Sequence, residues 1–268
     1  MIKRSDNVPT IKEKIVFNYD GRWSDTFGLI NINLDNGMFD ESLVSVRSII
    51  ESTNKGNEKP LFQGFQNEPL EFDMSIAFTD KFNEEKVHEI IDWLFQEFYK
   101  PLYFYGREDR VFYCTPVGDA RIVHNGLNEG YFTLTMRCNS PYVYSPIIVS
   151  DTIDLSDGTT KEIVIFNDGF DYLYPEISIE KIGVGSVTFE NTKIDGSIWT
   201  INKLTDKEEV YIDCSKGIIK SSNERLGVYH YEDISGTTSL LKLVKGNNTI
   251  RITGKCKVTF RYQFKYRY

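Results

Sequence analysis

Among the carboxylates of this chain, Glu176 and Glu180 come nearest to a catalytic pair. A glycosidase needs two carboxyls across a cleft, about 5–10 Å apart, one to protonate the leaving oxygen and one to attack or to activate water. Here the two acids alternate with Ile177 and Ile179 in PEISIEK, which is the pattern of a strand with its charges on the solvent face. Nucleophilic and cofactor chemistry fare no better. The chain has no GxSxG elbow, no HExxH, no Walker A loop and no GxGxxG after a strand. Gly183 and Gly185, in KIGVGSV, are spaced for a turn. Cys114, Cys138, Cys214 and Cys256 lie far apart, form no CxxC pair and stand away from His88, His124 and His230. That pattern predicts reduced, mostly buried thiols and no zinc site. The expectation is a protein that is not an enzyme, with no catalytic residues, no cofactor and no metal. A binding role is easier to build: Trp199, Tyr229 and Tyr231 could stack on sugar rings, which makes a carbohydrate-binding β-sandwich module contacting a host cell wall the alternative reading.

Composition supports a globular, β-rich chain. Its 268 residues suit one large or two ordinary domains, and Val, Ile, Thr, Phe and Tyr dominate the periodic stretches. No run approaches ~18 uninterrupted apolar residues, so no membrane insertion is expected. The opening MIKRSDNVPTIKEK lacks an apolar signal core, so export by a secretory signal is not expected. Charge is uneven: residues 1–147 carry 15 Lys and Arg against 22 Asp and Glu, net −7, which leaves −1 of the total −8 for residues 148–268. An acidic N-terminal half argues against nucleic-acid recognition, which draws on positive charge. It suits a surface that DNA passes without sticking.

The elements that would hold any site read as follows. Asp20-Gly21 and Asn36-Gly37 are tight-turn dipeptides between early strands. Ile30, Ile32 and Leu34 alternate with Asn31, Asn33 and Asp35, the period of a half-buried strand. In PLEFDMSIAF, Leu70, Phe72, Met74, Ile76 and Phe78 share a face. One helix is predicted over 83–99. Asn83 or Asp80 can cap it, Glu84 and Glu85 suit its first turn, and Val87, Ile90, Ile91, Leu94, Phe95 and Phe98 form an apolar stripe that a sheet or a neighbouring subunit must cover. Pro101 should stop it near Tyr99. Strands resume from LYFYG onward, and Asn125-Gly126 marks another turn. SPYVYSP reads as the exit from a first domain, 1–147. The second, 148–268, shows only short strands split by turn chemistry, which suggests a β-sandwich of jelly-roll type. Its last stretch, KVTFRYQFKYRY, alternates apolar and cationic residues and reads as an edge strand guarded by charge.

The order of these pieces resembles the distal tail (Dit-type) family of long-tailed, siphovirus-like bacteriophages, over nearly the whole chain. GRWSDTFGLI, with Phe27, Gly28 and Leu29, is similar to the family's opening strands. PLEFDMSIAF and the following helix resemble its central strand and single helix. GYFTLTMRCNSPYVYSP, with Cys138, Ser140, Pro141 and Tyr142, resembles its domain exit. VYIDCSKGIIKSS and LLKLVKGNNTIRITG resemble two late units, while the 50–60 region departs from the compact glycine-rich loop of the family. The resemblance implies a mainly β fold with one α-helix: an N-terminal β-sandwich with the helix and a projecting hairpin, and a C-terminal jelly-roll or galectin-like β-sandwich. It implies a homo-hexamer at the virion tail tip, made in the bacterial host cytoplasm. This ring would join the major tail tube protein to hub and baseplate proteins and let genome DNA through its opening without specific binding. Segment 39–62 is the candidate clasp on a neighbouring subunit, with Val44, Val46, Ile49 and Ile50 as its apolar contacts.

Overall fold

The computed structural model describes residues 14–34, 44–56, 58–236 and 240–267. The chain forms two compact units, Met1–Tyr144 with Arg267–Tyr268, and Ser145–Tyr266. The Asn36-Gly37 turn lies outside the described residues.

Unit one holds β1 (Phe17–Tyr19), β2 (Arg22–Trp23), β3 (Leu29–Ile32), β4 (Arg47–Ser52), β5 (Leu61–Asn67), β6 (Glu71–Phe78), α1 (Glu84–Leu94), β7 (Lys100–Phe104), β8 (Arg107–Val117), β9 (Ile122–His124), β10 (Gly130–Cys138) and β11 (Val143–Tyr144). Its main sheet runs β2-β1-β7-β8-β10-β6-β3, all antiparallel, with β9 added to β10 and β11 to β8. Asp20 and Gly21 join β1 to β2 with φ of 51° and 80°, the positive values a two-residue hairpin turn demands. In β6, Phe72, Met74 and Ile76 are buried while Glu71 and Asp73 are exposed, as the alternation predicts. In β3 the buried face is the opposite one: Leu29 and Asn31 point inward. Asn31 is tolerated there because its Nδ2 donates to the Lys14 carbonyl at 3.0 Å.

The helix starts where its cap predicts and ends early. Asn83 Oδ1 accepts the Lys86 N–H at 2.9 Å. The last turn stops at Leu94, not near Tyr99, because Phe95 leaves helical geometry with ψ of 69°. Gln96 then holds the chain by donating to the Trp93 carbonyl (2.9 Å) and the Asp20 carboxylate (3.1 Å). Ile90, Trp93 and Leu94 sink into a core with Phe17, Tyr19, Phe27, Leu102, Phe104 and Phe112.

Unit two holds β12 (Ile148–Val149), β13 (Ile153–Asp154), β14 (Lys161–Asn167), β15 (Glu176–Lys181), β16 (Gly185–Asn191), β17 (Ile198–Leu204), β18 (Glu209–Asp213), β19 (Ile218–Ser221), β20 (Ile234–Gly236), β21 (Gly246–Thr253), β22 (Cys256–Tyr262) and β23 (Lys265–Tyr266). Two antiparallel sheets, β12-β22-β15-β18-β19 and β14-β21-β16-β17-β20, bury Ile177, Ile179, Val258 and Phe260 from one side against Val187, Phe189, Ile201 and Ile252 from the other. The strand β22 is not an edge. It pairs with β15 on one side and with the short β12 and β13 on the other, so its register is enclosed and its cationic residues face solvent within the sheet.

A buried polar cluster ties the β17–β18 turn to the segment after β19. His230 lies between Glu208 (2.6 Å) and Asp233 (3.1 Å), and both Glu208 and His230 are inaccessible to solvent. Burial alone would raise the Glu208 carboxyl. Hydrogen bonds from the Ser221 hydroxyl, the Thr205 N–H, His230 and the Thr205 hydroxyl outweigh it and draw the group from 4.5 down to about 2. Because the folded value is the lower one, the stabilisation is complete above pH 4.5 and is lost as pH falls through about 2. Glu208→Gln is therefore expected to destabilise unit two by about 3 kcal/mol at neutral pH, with the gap to the parent closing in acid. Urea unfolding across pH measures it, and a gap independent of pH would refute it.

Candidate functional site

The surface with a claim to function is the hairpin β4–β5. Among the described residues it pairs with no other strand and forms a two-stranded sheet of its own. Such a ribbon is marginal in water without a partner surface. Its apolar side chains are nevertheless turned outward: Val46 is 72 % exposed and Phe62 58 %, and Val44, Ile49, Ile50, Leu61 and Phe65 are exposed as well.

The pairing explains how Phe62 and Phe65 gather on one face. Ile49 pairs with Phe65 and Ile50 with Gly64, then the register jumps so that Glu51 pairs with Phe62 and Gln63 is left out. That bulge flips the alternation, so residues three apart, which a regular strand would put on opposite faces, come together. The Phe62 and Phe65 rings meet edge to face at 5.1 Å. Gly64 takes φ of 149°, a value that L side chains rarely adopt. The Arg47 guanidinium sits 3.3 Å from the Phe65 ring centre and holds it in place. The base is anchored by Glu68 N–H to the Val46 carbonyl (2.9 Å) and Leu70 N–H to the Ser140 carbonyl (3.1 Å). Exposed apolar surface of this kind is what a partner-binding face presents, which makes the hairpin the candidate interaction surface.

Val44, Val46, Ile49 and Ile50 are all exposed on this element, Ile49 on the face of Phe62 and Phe65 and Ile50 on the face of Leu61; the sequence reading did not name Leu61, Phe62 or Phe65, and residues 39–43 and 57 of the segment lie outside the described residues. The signal for the missing ones was the glycine inside LFQGF, the mark of a bulge in a strand. The sugar-stacking set does not assemble. Trp199 is fully buried and stacked on Phe189 at 4.7 Å, because β17 turns that face into the sandwich. No sugar can reach it. Tyr229 and Tyr231 are exposed, and the Tyr231 hydroxyl accepts the Ile219 N–H at 3.2 Å. Glu176 and Glu180 lie on the outer face of β15, paired with Arg261 (2.6 Å) and Lys257 (3.5 Å). All four cysteines are buried and unbridged, and burial pushes the thiols of Cys214 and Cys256 up to about 12 and about 11.

Comparison with known proteins places this arrangement. Residues 12–140 match a family model described as a phage tail protein N-terminal domain, and residues 148–262 one described as a phage tail C-terminal domain. The chain is 28% identical over 256 residues to the SPbeta prophage-derived protein YomH of Bacillus subtilis strain 168, covering 96% of this chain and 99% of YomH. Among solved structures it is similar to SPP1 Dit (gp 19.1), described as a paradigm of the hub adsorption apparatus in phages infecting Gram-positive bacteria. That likeness has a TM-score of 0.66 at 14% identity, over 93% of this chain and 99% of that one. A chain of the phage p2 baseplate in its activated conformation with Sr follows at a TM-score of 0.49 and 7% identity, over 93% and 97%. With both of its units matched, the chain belongs to the phage tail protein family that these two domains define, and it has the fold of a Dit protein.

Proposed function

We propose that this protein is a ring subunit at the tail tip of a long-tailed phage or prophage: a homo-hexamer that joins the tail tube to hub and baseplate proteins and leaves an opening for the genome. Its work is assembly, not catalysis. The observation that carries the reading is the β4–β5 hairpin, an apolar ribbon that the described residues of its own chain leave uncovered and that a neighbouring copy can cover. Burial of that surface would supply the association energy, at ~25 cal/mol per Å² before the ordering terms are subtracted. The net charge of −7 over residues 1–147 suits a ring lumen that repels DNA. On this reading the protein is made in the host cytoplasm and resides in the virion; among the described residues no helix is long and apolar enough to cross a membrane.

Light scattering behind a sizing column, at two concentrations, tests the ring. The expected mass is six times 31.0 kDa. A monomer at both concentrations would count against self-assembly of the free protein and leave the ring to be sought only on the virion. With Trp199 buried, the carbohydrate-binding alternative rests on Tyr229 and Tyr231 alone.

A further inference from the structure

The apolar stripe of α1 is only half covered. Ile90 and Leu94 are buried, while Ile91 and Phe95 are 44 % and 43 % exposed. Between that uncovered half and the sheet lies an open apolar groove of about 330 Å³, walled by Phe78, Val87, Ile91, Phe95, Ile122 and Phe132. Arg121 is the one charged side chain on it, and it is already paired with Asp119. One unit of the chain therefore carries both a protruding apolar cluster and an apolar recess.

We infer that the groove beside α1 is the receptor for the β4–β5 hairpin of a second copy of this chain, with Phe62 and Phe65 entering it. The inference rests on the ring reading above and names the contact within it. Three observations support an exchange between copies. First, no hairpin residue of the same chain lines the groove. The hairpin leaves from the Glu71 end of β6, where its base is hydrogen-bonded, whereas Phe78 marks the other end of that strand, seven residues further on or roughly 23 Å away. Second, the charges favour hairpin on helix over the symmetric alternatives. Residues 47–67 carry Arg47, Lys55 and Lys59 against Glu51 and Glu58, net +1, and α1 carries Lys86 against Glu84, Glu85, Glu89 and Asp92, net −3. Helix against helix repels, and hairpin against hairpin gains nothing. Third, knob and recess are different surfaces of one subunit. Their contact is head to tail, the kind that closes into a ring when the rotation per subunit divides a full turn.

The test uses the full chain in two single variants, Phe62→Cys and Ile91→Cys, both at exposed positions, treated with a short bis-maleimide alone and mixed. The four native cysteines are buried, and the parent chain is the control for them. The expected result is a covalent dimer in the mixture and in neither variant alone, and a ladder ending at the hexamer for the double variant. Dimers of Phe62→Cys alone would show hairpin on hairpin and overturn the inference. No cross-link in a sample that sizes as a hexamer would overturn it while leaving the ring intact, the groove then serving another occupant. No cross-link in a sample that sizes as a monomer would overturn the inference and count against self-assembly of the free protein.

Discussion

Replacing Phe62 and Phe65 together by aspartate is expected to dissolve the proposed ring while leaving each chain folded. Both rings lie outside the cores of the two units, so their loss removes no core packing and should move single-chain stability by about 0.5 kcal/mol or less. At the interface the account is different. Aromatic anchors at the centre of a contact typically cost about 2–4 kcal/mol each on truncation, and a charge in their place must also be desolvated. At about 1.4 kcal/mol per tenfold, the pair should weaken association by at least about three orders of magnitude. A dilution series read by sedimentation measures it, with thermal unfolding as the check on folding. Val46→Ser alone should give a smaller weakening in the same direction. An undiminished oligomer in the double aspartate variant would remove the hairpin from the assembly.

What the residues could disclose on their own depended on how local the controlling interaction was. The alternation of β6 and the Asn83 cap were legible because the period of a strand and the geometry of a cap are properties of a few adjacent residues. The helix end was not, since the chain leaves α1 under the hold of Gln96 on Asp20, 76 residues earlier, and of Lys100 on the same carboxylate at 3.2 Å. Which face of β17 turns inward was equally hidden. SIWTI fits a strand with Trp199 on either side, and only its pairing with β16, which sets Phe189 against it, decides. The edge reading of the last strand failed for a related reason: β12 and β13 are two residues each, too short to announce themselves, yet together they cover β22. For the candidate site, the outgoing strand with Ile49 and Ile50 was legible as an apolar run near an exposed tip. The return strand was not, because the alternation is broken by the Gln63 bulge and LFQGF no longer shows the period of a strand.

The largest loss of stability in unit one is expected from Trp93→Ala. Its indole stacks on Phe27 at 4.2 Å, lies parallel to Phe17 at 6.0 Å and meets Tyr19 edge-on at 6.2 Å, and its Nε1 donates to the Tyr19 carbonyl at 2.8 Å. Through this one side chain α1 is fastened to β1 and to the turn before β3. Removing a buried Trp typically costs about 3–5 kcal/mol, which for a unit of this size lowers the melting temperature by roughly 10 °C. Trp93→Phe keeps part of the stack but loses the indole hydrogen bond to the Tyr19 carbonyl, worth about 1 kcal/mol, so an intermediate loss is expected. The two cores share no residue, so calorimetry should show the transition of unit one moving while that of unit two stays. The consequence for assembly follows from position. Trp93 holds the helix whose other side, Val87, Ile91 and Phe95, walls the groove, so Trp93→Ala should weaken association at temperatures where the unit is still folded, although Trp93 itself lies buried beneath that wall. A variant with lowered melting temperature and unchanged self-association would separate the helix from the interface and leave the hairpin to bind elsewhere.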